Sequence, residues 1–238
     1  MNRYRADLHI HSLLSPCGSL AMSPREIISR ARSKGLDMIA VSDHNSTWHC
    51  ELMVNLGLEA GITVLRAAEV TSSEDVHSLV ILPDEASTHS FQEWIDSHCA
   101  YIPNNPELFG DQVVVDRDER IIREISWYLP AALNATVDDV ESAAHRHGGL
   151  FIPAHIDRPA MGILGMLGFI PEDLYIDAVE VIGNPGDLLY QVIRNSDAHI
   201  PENIGSRYTD YLLDHPSFNE LAMALRGEKG RAIIPRER

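Results

Sequence analysis

The chain has 238 residues, 45% of them apolar, which suits one α/β barrel or two small domains. No apolar run approaches the roughly 18 residues that a membrane span needs, and the opening MNRYRADLHIH has no apolar leader core. With 35 acidic against 19 basic residues the formal charge is −16, a surface that repels nucleic-acid backbone, so no stable nucleic-acid binding and no membrane contact are expected.

Apolar runs alternate with helical patterns along the chain, the mark of α/β architecture. ADLHIH (6–11) ends a first strand. A helix over 23–35 follows, with Ser23 as cap, Pro24 at its first position, Glu26 completing a capping box and Gly35 as its stop. MIAVS is a second strand, Trp48 to Ala60 a helix stopped by Gly61, and ITVLRAAE (62–69) a third strand. Val76 to Leu82 reads as a further strand. The stretch from about 83 to 135 breaks the rhythm: it carries Pro103, Pro106 and Pro130, an amphipathic piece near Phe91–His98 and a charged run, Asp116–Arg123, that reads as a solvated helix face. Thr136 caps a helix to about His147, LFIPA is the next strand, and AVEVI (178–182) and VIRNS (192–196) are two late ones. Ser217 and Glu220 form a capping box before a last helix, and RAIIP is a final strand. Residues 1–238 are expected to form one domain, with 83–135 inserted over the barrel rim.

Nine donors set the chemistry: His9, His11, Cys17, His44, Glu69, His77, His155, Asp197 and His199. Most stand where a hydrophobic strand ends. A parallel barrel would bring such positions to one rim, and these side chains are the nitrogen, oxygen and sulfur groups that hold divalent metals. His9 and His11, like Asp197 and His199, have the i, i+2 spacing that puts two side chains on one side of a strand. Either pair alone could be an ordinary polar strand end, and Glu69 could be a salt-bridge acceptor. Asp43 could orient a ligand imidazole or simply end its strand. His145 and His147 suit a helix end; His49, His89, His98 and His215 lack strand-end context, and Trp48 could line the pocket. Cys17, Cys50 and Cys99 are too few for a disulfide framework, so a reducing cytosol is the expected setting.

Taken together, HIH (9–11), SDH (42–44), AAE (67–69), His77 in DVHSL, PAHIDR (153–158) and SDAH (196–199) resemble the polymerase and histidinol phosphatase (PHP) superfamily of metal-dependent phosphoesterases, and the motifs span nearly the whole chain. The resemblance implies a distorted (β/α)7, TIM-like barrel with two to three divalent ions, Zn, Mn or Fe, at its C-terminal rim. It assigns His9, His11, Glu69 and Asp197 to a first ion, Glu69, His77 and His155 to a second, and His44, His199 and position 17 to a third. Cys17 would either ligate as a thiolate or stand beside an incomplete third site. The implied reaction is hydrolysis of a small phosphate ester by water activated between the metals. Glu69, Asp197 and His199 would take part at the reacting centre, and Arg158, or more weakly Arg207, would grip phosphate; a surface ion pair with Asp157 is the plainer reading of Arg158. Two other classes remain open: an amidohydrolase-like hydrolase, and a metal-binding regulatory protein without turnover.

Overall fold

A computed structural model describes residues 1–183, 186 and 188–235. β1 (Asn2–Ile10), α1 (Pro24–Ser33), β2 (Met38–Val41), α2 (Cys50–Ala60) and β3 (Thr63–Thr71) alternate as expected, and the three strands pair in parallel. The Ser23 hydroxyl accepts the Glu26 N–H at the start of α1, and Gly61 ends α2 in the left-handed region at φ +74°. The regular repeat stops there. β4 (His77–Leu82) turns back antiparallel to β3, and a later strand, Leu150–Pro153, is antiparallel to β4.

These two antiparallel contacts, and two more at the opposite edge of the sheet where the strands before and after the last helix pair with β1 and with each other, interrupt what a strict (β/α)7 repeat would make wholly parallel. Between β4 and the Leu150–Pro153 strand lie α3 (Glu85–His98), the single turn α4 (Pro106–Phe109), a hairpin of β5 (Val113–Val115) and β6 (Ile121–Glu124), and α5 (Val137–Arg146). β7 (Leu150–Pro153), α6 (Ile163–Leu167), β8 (Val179–Glu180), β9 (Val192–Ile193), β10 (Thr209–Leu213), α7 (Phe218–Arg226) and β11 (Ala232–Ile234) complete the order. The main sheet has seven strands, β11-β10-β1-β2-β3-β4-β7. The β8–β9 pair bridges its open side: Asp177 N donates to Phe151 O, Ile156 N to Glu180 O, and His11 N to Ala198 O. The sheet is thus curled, as a distorted TIM-like barrel is.

Inside the curl, Ala6, Leu8, Ala40, Ala67, Leu79 and Ile152 share one buried cluster, small residues alternating with large, and α7 adds Leu221 and Leu225 to it. Outside, α1 and α2 cover Ile39, Val41 and Val64. α3 and α5 cover Val80 and Leu82 with Phe91, Ile95, Val140 and Ala143, so α3 belongs to the outer layer. Residues 99–131 instead lie over the strand ends, where Asn45 Nδ2 donates to the carbonyls of Leu129 and Ala131.

Two expectations change. The charged run 116–123 is not a helix. Asp116 Oδ1 accepts the N–H groups of Asp118 and Arg120, Glu119 sits at φ +63°, and the β-branched Ile121–Ile122 pair continues as β6; a side-chain-built turn between valine and isoleucine runs is a hairpin. β10 was not expected from the sequence. Its TDYLL is held as a strand by pairing with β1 from Asn2–Leu213 to Ala6–Thr209, a long-range partner that local pattern does not report.

Candidate metal centre

Eight of the nine donors converge at one end of the curled sheet. Glu69 is at the centre, almost wholly buried on β3. His77 Nδ1 and His155 Nε2 stand 2.9 Å and 3.0 Å from its Oε1, His44 Nδ1 3.0 Å from its Oε2. His9 Nε2 and His11 Nε2 are each 3.3 Å from Glu69 and lie 3.4 Å and 3.3 Å from Asp197 Oδ1. His199 stacks on His11 with ring centroids 4.2 Å apart. Among the described residues three overlapping groups have the closeness that one ion needs: His9, His11 and Asp197; His11, His44 and His199; His44, Glu69 and His77.

Strand alternation alone does not produce this. On β1, Leu8 points into the core and Ile10 outward, yet His9 also points inward. The register of β1 on β2 shifts between Asp7 and Ile10, and such a bulge places two consecutive side chains on one face. His155 (φ +30°) and Asp197 (φ +51°) follow β7 and β9 in left-handed backbone, which re-aims side chains that alternation would send elsewhere. His77 opens its strand instead of ending it. β4 runs backwards, so its first residue is the one that reaches the common end.

The histidines are held from behind. Glu180, fully enclosed on β8, receives His9 Nδ1–H (3.0 Å and 3.1 Å to its two oxygens), the Asn195 amide (2.8 Å) and the His155 backbone N–H (2.9 Å). Ser15 Oγ donates to Asp43 (2.7 Å), so it accepts from His11 Nδ1 (3.0 Å). Ser12 Oγ also donates to Asp43 (2.6 Å) and accepts from His49 Nδ1 (2.9 Å), while His49 Nε2 accepts the Val115 N–H (3.0 Å). Asp43 therefore acts on His11 through Ser15, not on His44. Its carboxyl is held down at about 2 against burial, with the neighbouring His49 the leading cause and the Ser12 hydrogen bond next. His49, with no strand-end context, is part of this buried chain. Glu180, too, was not singled out in the sequence; its signal was one carboxylate in the apolar run AVEVI.

These bonds fix the tautomers of His9 and His11. With Nδ1 protonated in both, each neutral ring offers an unprotonated Nε2, and the two Nε2 atoms are 3.2 Å apart beside the Glu69 and Asp197 oxygens. Electron-rich atoms so close require a cation or a proton among them. Protons can fill that role: against burial, the charges of Glu180, Glu69 and Asp197 hold His9 well above the usual histidine range, and hydrogen bonds to Asp197 and Glu69 bring His11 up to about 9. His77, His9 and His44 hold Glu69 far below the carboxylate range, also against burial. Burial pushes His44 and His199 down to about 4, the neutral form a metal ligand needs. The buried His44 Nδ1 and His155 Nδ1 make no hydrogen bond. The donor set fits divalent metal.

Cys17 stands apart. It is exposed, belongs to none of the three groups, and its thiol is pushed up to about 12 by its surroundings' desolvation and the Glu69 charge. Arg158 does not pair with Asp157, which caps the Ile182 and Gly183 N–H groups; its Nη2 lies 2.7 Å from Asp197 Oδ2. Arg207 is exposed and outside the cluster. Trp48 lies under Arg123, whose guanidinium is 4.2 Å from its ring.

The PHP domain profile matches residues 7–138, and a PHP-associated profile matches 190–229. The uncharacterized protein YqxK of Bacillus subtilis is 25% identical over 98% of this chain and 65% of its own length. Endonuclease Q of Pyrococcus furiosus, a lesion-specific endonuclease, superposes with a TM-score of 0.71 at 23% identity, over 98% of this chain and 58% of that one. A proposed metal-dependent phosphoesterase of Bifidobacterium adolescentis superposes with a TM-score of 0.56 at 21% identity, over 82% of this chain and 87% of that one. The chain thus spans about three fifths of the longer relatives it matches. One finding corrects the expectation of no nucleic-acid binding. Endonuclease Q is also seen with a 27-mer duplex carrying an abasic lesion at its active site, at a TM-score of 0.72 and 22% identity, over 98% of this chain and 58% of that one. Net charge sums the whole surface, so it does not report the sign of the potential at any one site.

Proposed function

Because the chain belongs to the PHP domain family, whose profile covers more than half of it, we propose that it is a metal-dependent hydrolase of phosphate esters. The observation that carries this is the convergence of His9, His11, His44, His77, His155, His199 and Asp197 around Glu69. We assign these eight residues to two or three divalent ions, with Glu69 between them and Cys17 outside the set. Divalent ions held there supply Lewis acidity toward phosphoryl oxygens and acidify water. The chain's own residues do the rest. Glu180 and Ser15 keep His9 and His11 in the tautomer with Nε2 free. Asp197 holds one end of the Arg158 fork, and the half-exposed remainder of the guanidinium can take a phosphate oxygen. We read residues 1–238 as one catalytic unit, with 99–131 shaping access to it, and a reducing cytosol as the setting its free cysteines suit.

Two features weigh between substrates and against the other classes. The likeness to DNA-bound endonuclease Q favours a phosphodiester in nucleic acid over a small metabolite. An amidohydrolase with a lysine bridging two metals is disfavoured, because the only lysines are Lys34 and Lys229, and neither belongs to the cluster. The test is hydrolysis by protein loaded in turn with Zn²⁺, Mn²⁺ or Fe²⁺. The substrates are phosphomonoesters, a single strand, a plain duplex and a duplex with an abasic site, with Glu69→Gln as control. Metal-dependent phosphate release or strand cleavage that falls at least about a hundredfold in Glu69→Gln is expected. Bound metal without turnover on any ester would leave a metal-binding protein and overturn the proposal.

A further inference from the structure

The segment over the strand ends carries more aromatic surface than its own packing uses. Two anchors seat it beside the donors. Asn45, next to His44 and itself at φ +44°, donates to the carbonyls of Leu129 and Ala131 at 2.7 Å and 2.9 Å and accepts the Thr71 N–H at 3.0 Å. Gly110, at φ +99°, lies so close to Pro16 that a Cβ there would come within 2.3 Å of the Pro16 carbonyl oxygen. Tyr128 directly precedes the first anchor and Phe109 the second. Their rings meet at 4.5 Å between centroids, tilted by 35°, with Phe109 43% exposed. The pair therefore stands between Asn45, next to His44, and Pro16, next to the Ser15 that holds His11, at the lip of the metal centre. Its backbone is fixed: Tyr128 N donates to Ile102 O at 2.7 Å, Asn104 Nδ2 to Gly110 O at 3.1 Å, and Gln112 bonds the backbone of Ile125, Trp127 and Leu129.

One residue along, Trp127 meets Trp48 edge to face, and the guanidinium of Arg123 lies 4.2 Å from the Trp48 ring centre and 5.6 Å from that of Trp127. Arg123 has no carboxylate partner among the described residues, although acids outnumber bases in the chain 35 to 19. An arginine supported on two indoles and unpaired in so acidic a protein is available to an anion from outside. A half-buried tyrosine with an exposed phenylalanine beside a phosphate-handling centre is available to a flat group attached to that phosphate.

We propose that this lip recognises a nucleotide unit. The Phe109–Tyr128 pair stacks the base belonging to the phosphate at the metal centre, and Arg123, on its Trp48–Trp127 shelf, takes an adjacent phosphate. The inference deepens the phosphoesterase reading and rests on it for the place of the reacting phosphate. The nucleotide can be free or part of a strand; Arg123 has a partner only in the second case.

The experiment uses equilibrium binding to the intact chain, with and without Mn²⁺. The probes are hydrolysis-resistant phosphorothioates containing 2-aminopurine, whose fluorescence is quenched on stacking: a mononucleotide and a short single strand. Both should be quenched by the parent, and Phe109→Ala or Tyr128→Ala should weaken binding about tenfold or more and restore emission. Phe109→Trp should keep the quenching. Arg123→Gln should leave the mononucleotide alone, weaken the strand, and lower the log–log salt slope by about 0.7. Circular dichroism checks each variant, and Phe109→Leu and Tyr128→Leu replace any alanine variant that does not fold. Unquenched emission with the parent, or equal affinity in the Phe109 and Tyr128 variants, overturns the stacking site. An unchanged strand affinity and salt slope in Arg123→Gln overturns the phosphate contact and leaves a free nucleotide as ligand. Stacking without hydrolysis of any ester would sink the proposed activity and not this site; cleavage of a strand with no quenching would do the reverse.

Discussion

At the scale of single residues, most of the side chains that the fold gathers around Glu69 stand where an apolar run stops, which made them legible; His77, which opens its strand, is the exception. The groups that aim them were not legible. Glu180 sits inside a strand and Ser15 inside a loop, and only the folded chain brings them behind His9 and His11. Their importance can be measured. Glu180→Gln preserves size and one acceptor oxygen but no longer charges the His9 Nδ1–H partner; metal affinity should fall about 10- to 100-fold, while the far-ultraviolet circular dichroism stays parental. A titration with a metal indicator reads this directly. Parental affinity would show that His9 is aimed by packing alone. Cys17, at the position that the resemblance offers to a third ion, is exposed and lies outside the three groups.

At the scale of elements, strands and helices with their own signals were found nearly as expected, including the Thr136 cap of α5 and the amphipathic α3; the boxes expected at Ser23 and Ser217 are one-sided, because Glu26 pairs with Arg30 and Glu220 with Arg231. Elements defined by partners were not expected. β10 depends on β1, and the hairpin of β5 and β6 depends on the Asp116 turn. The antiparallel course of β4 follows from a tight return at 72–76, where Ser72 N donates to Val76 O and Asp75 takes φ +58°. Two outcomes test element packing. Gly110→Ala must move the Pro16 carbonyl and force alanine into left-handed backbone, so it should destabilise by roughly 1–3 kcal/mol in chemical denaturation. A variant of parental stability would mean that this contact is loose. The second concerns α5, whose His145 Nε2 meets the buried Asp177 at 2.9 Å. The Asp177 hydrogen bond raises the His145 pKa above 6.5, so protonated His145 binds the folded state more strongly. Its stabilising contribution should be full below about pH 6.5 and vanish as the pH rises through the raised value. Melting temperatures of the parent and His145→Gln between about pH 5.5 and 8.5 should therefore differ most at the acid end; a difference that grew with pH would reverse the assignment.

At the scale of the whole molecule, the charge of −16 misled where the fold did not. Composition counts every exposed acid equally, but a ligand meets a small part of the surface. The same arithmetic gives a prediction about metal. A divalent ion binds the assembled cluster and not the dispersed donors, so it should stabilise the fold by RT ln(1 + [L]/Kd), about 2.7 kcal/mol at a hundred times Kd. For a chain of 238 residues that is roughly 5–10 °C in melting temperature, gained with metal and removed with chelator. Differential scanning fluorimetry in Mn²⁺, Zn²⁺ and EDTA reads the shift, and identical melting curves would mean that no ion is held by the folded state alone.

The contact between the 195–199 segment and β1 has a consequence for how the protein assembles. Glu69 and His77 face each other across one hairpin, so that part of the site costs little loop-closure entropy and can form as soon as two neighbouring strands meet. His9, His11, Asp197 and His199 require the two ends of the chain to come together. A metal ion joining these halves would act as a reversible cross-link across almost the whole sequence. Its release should loosen the seam between β1 and residues 195–199 first, and amide hydrogen exchange at His11 and Ala198, whose N–H groups bridge that seam, is where the opening would be seen.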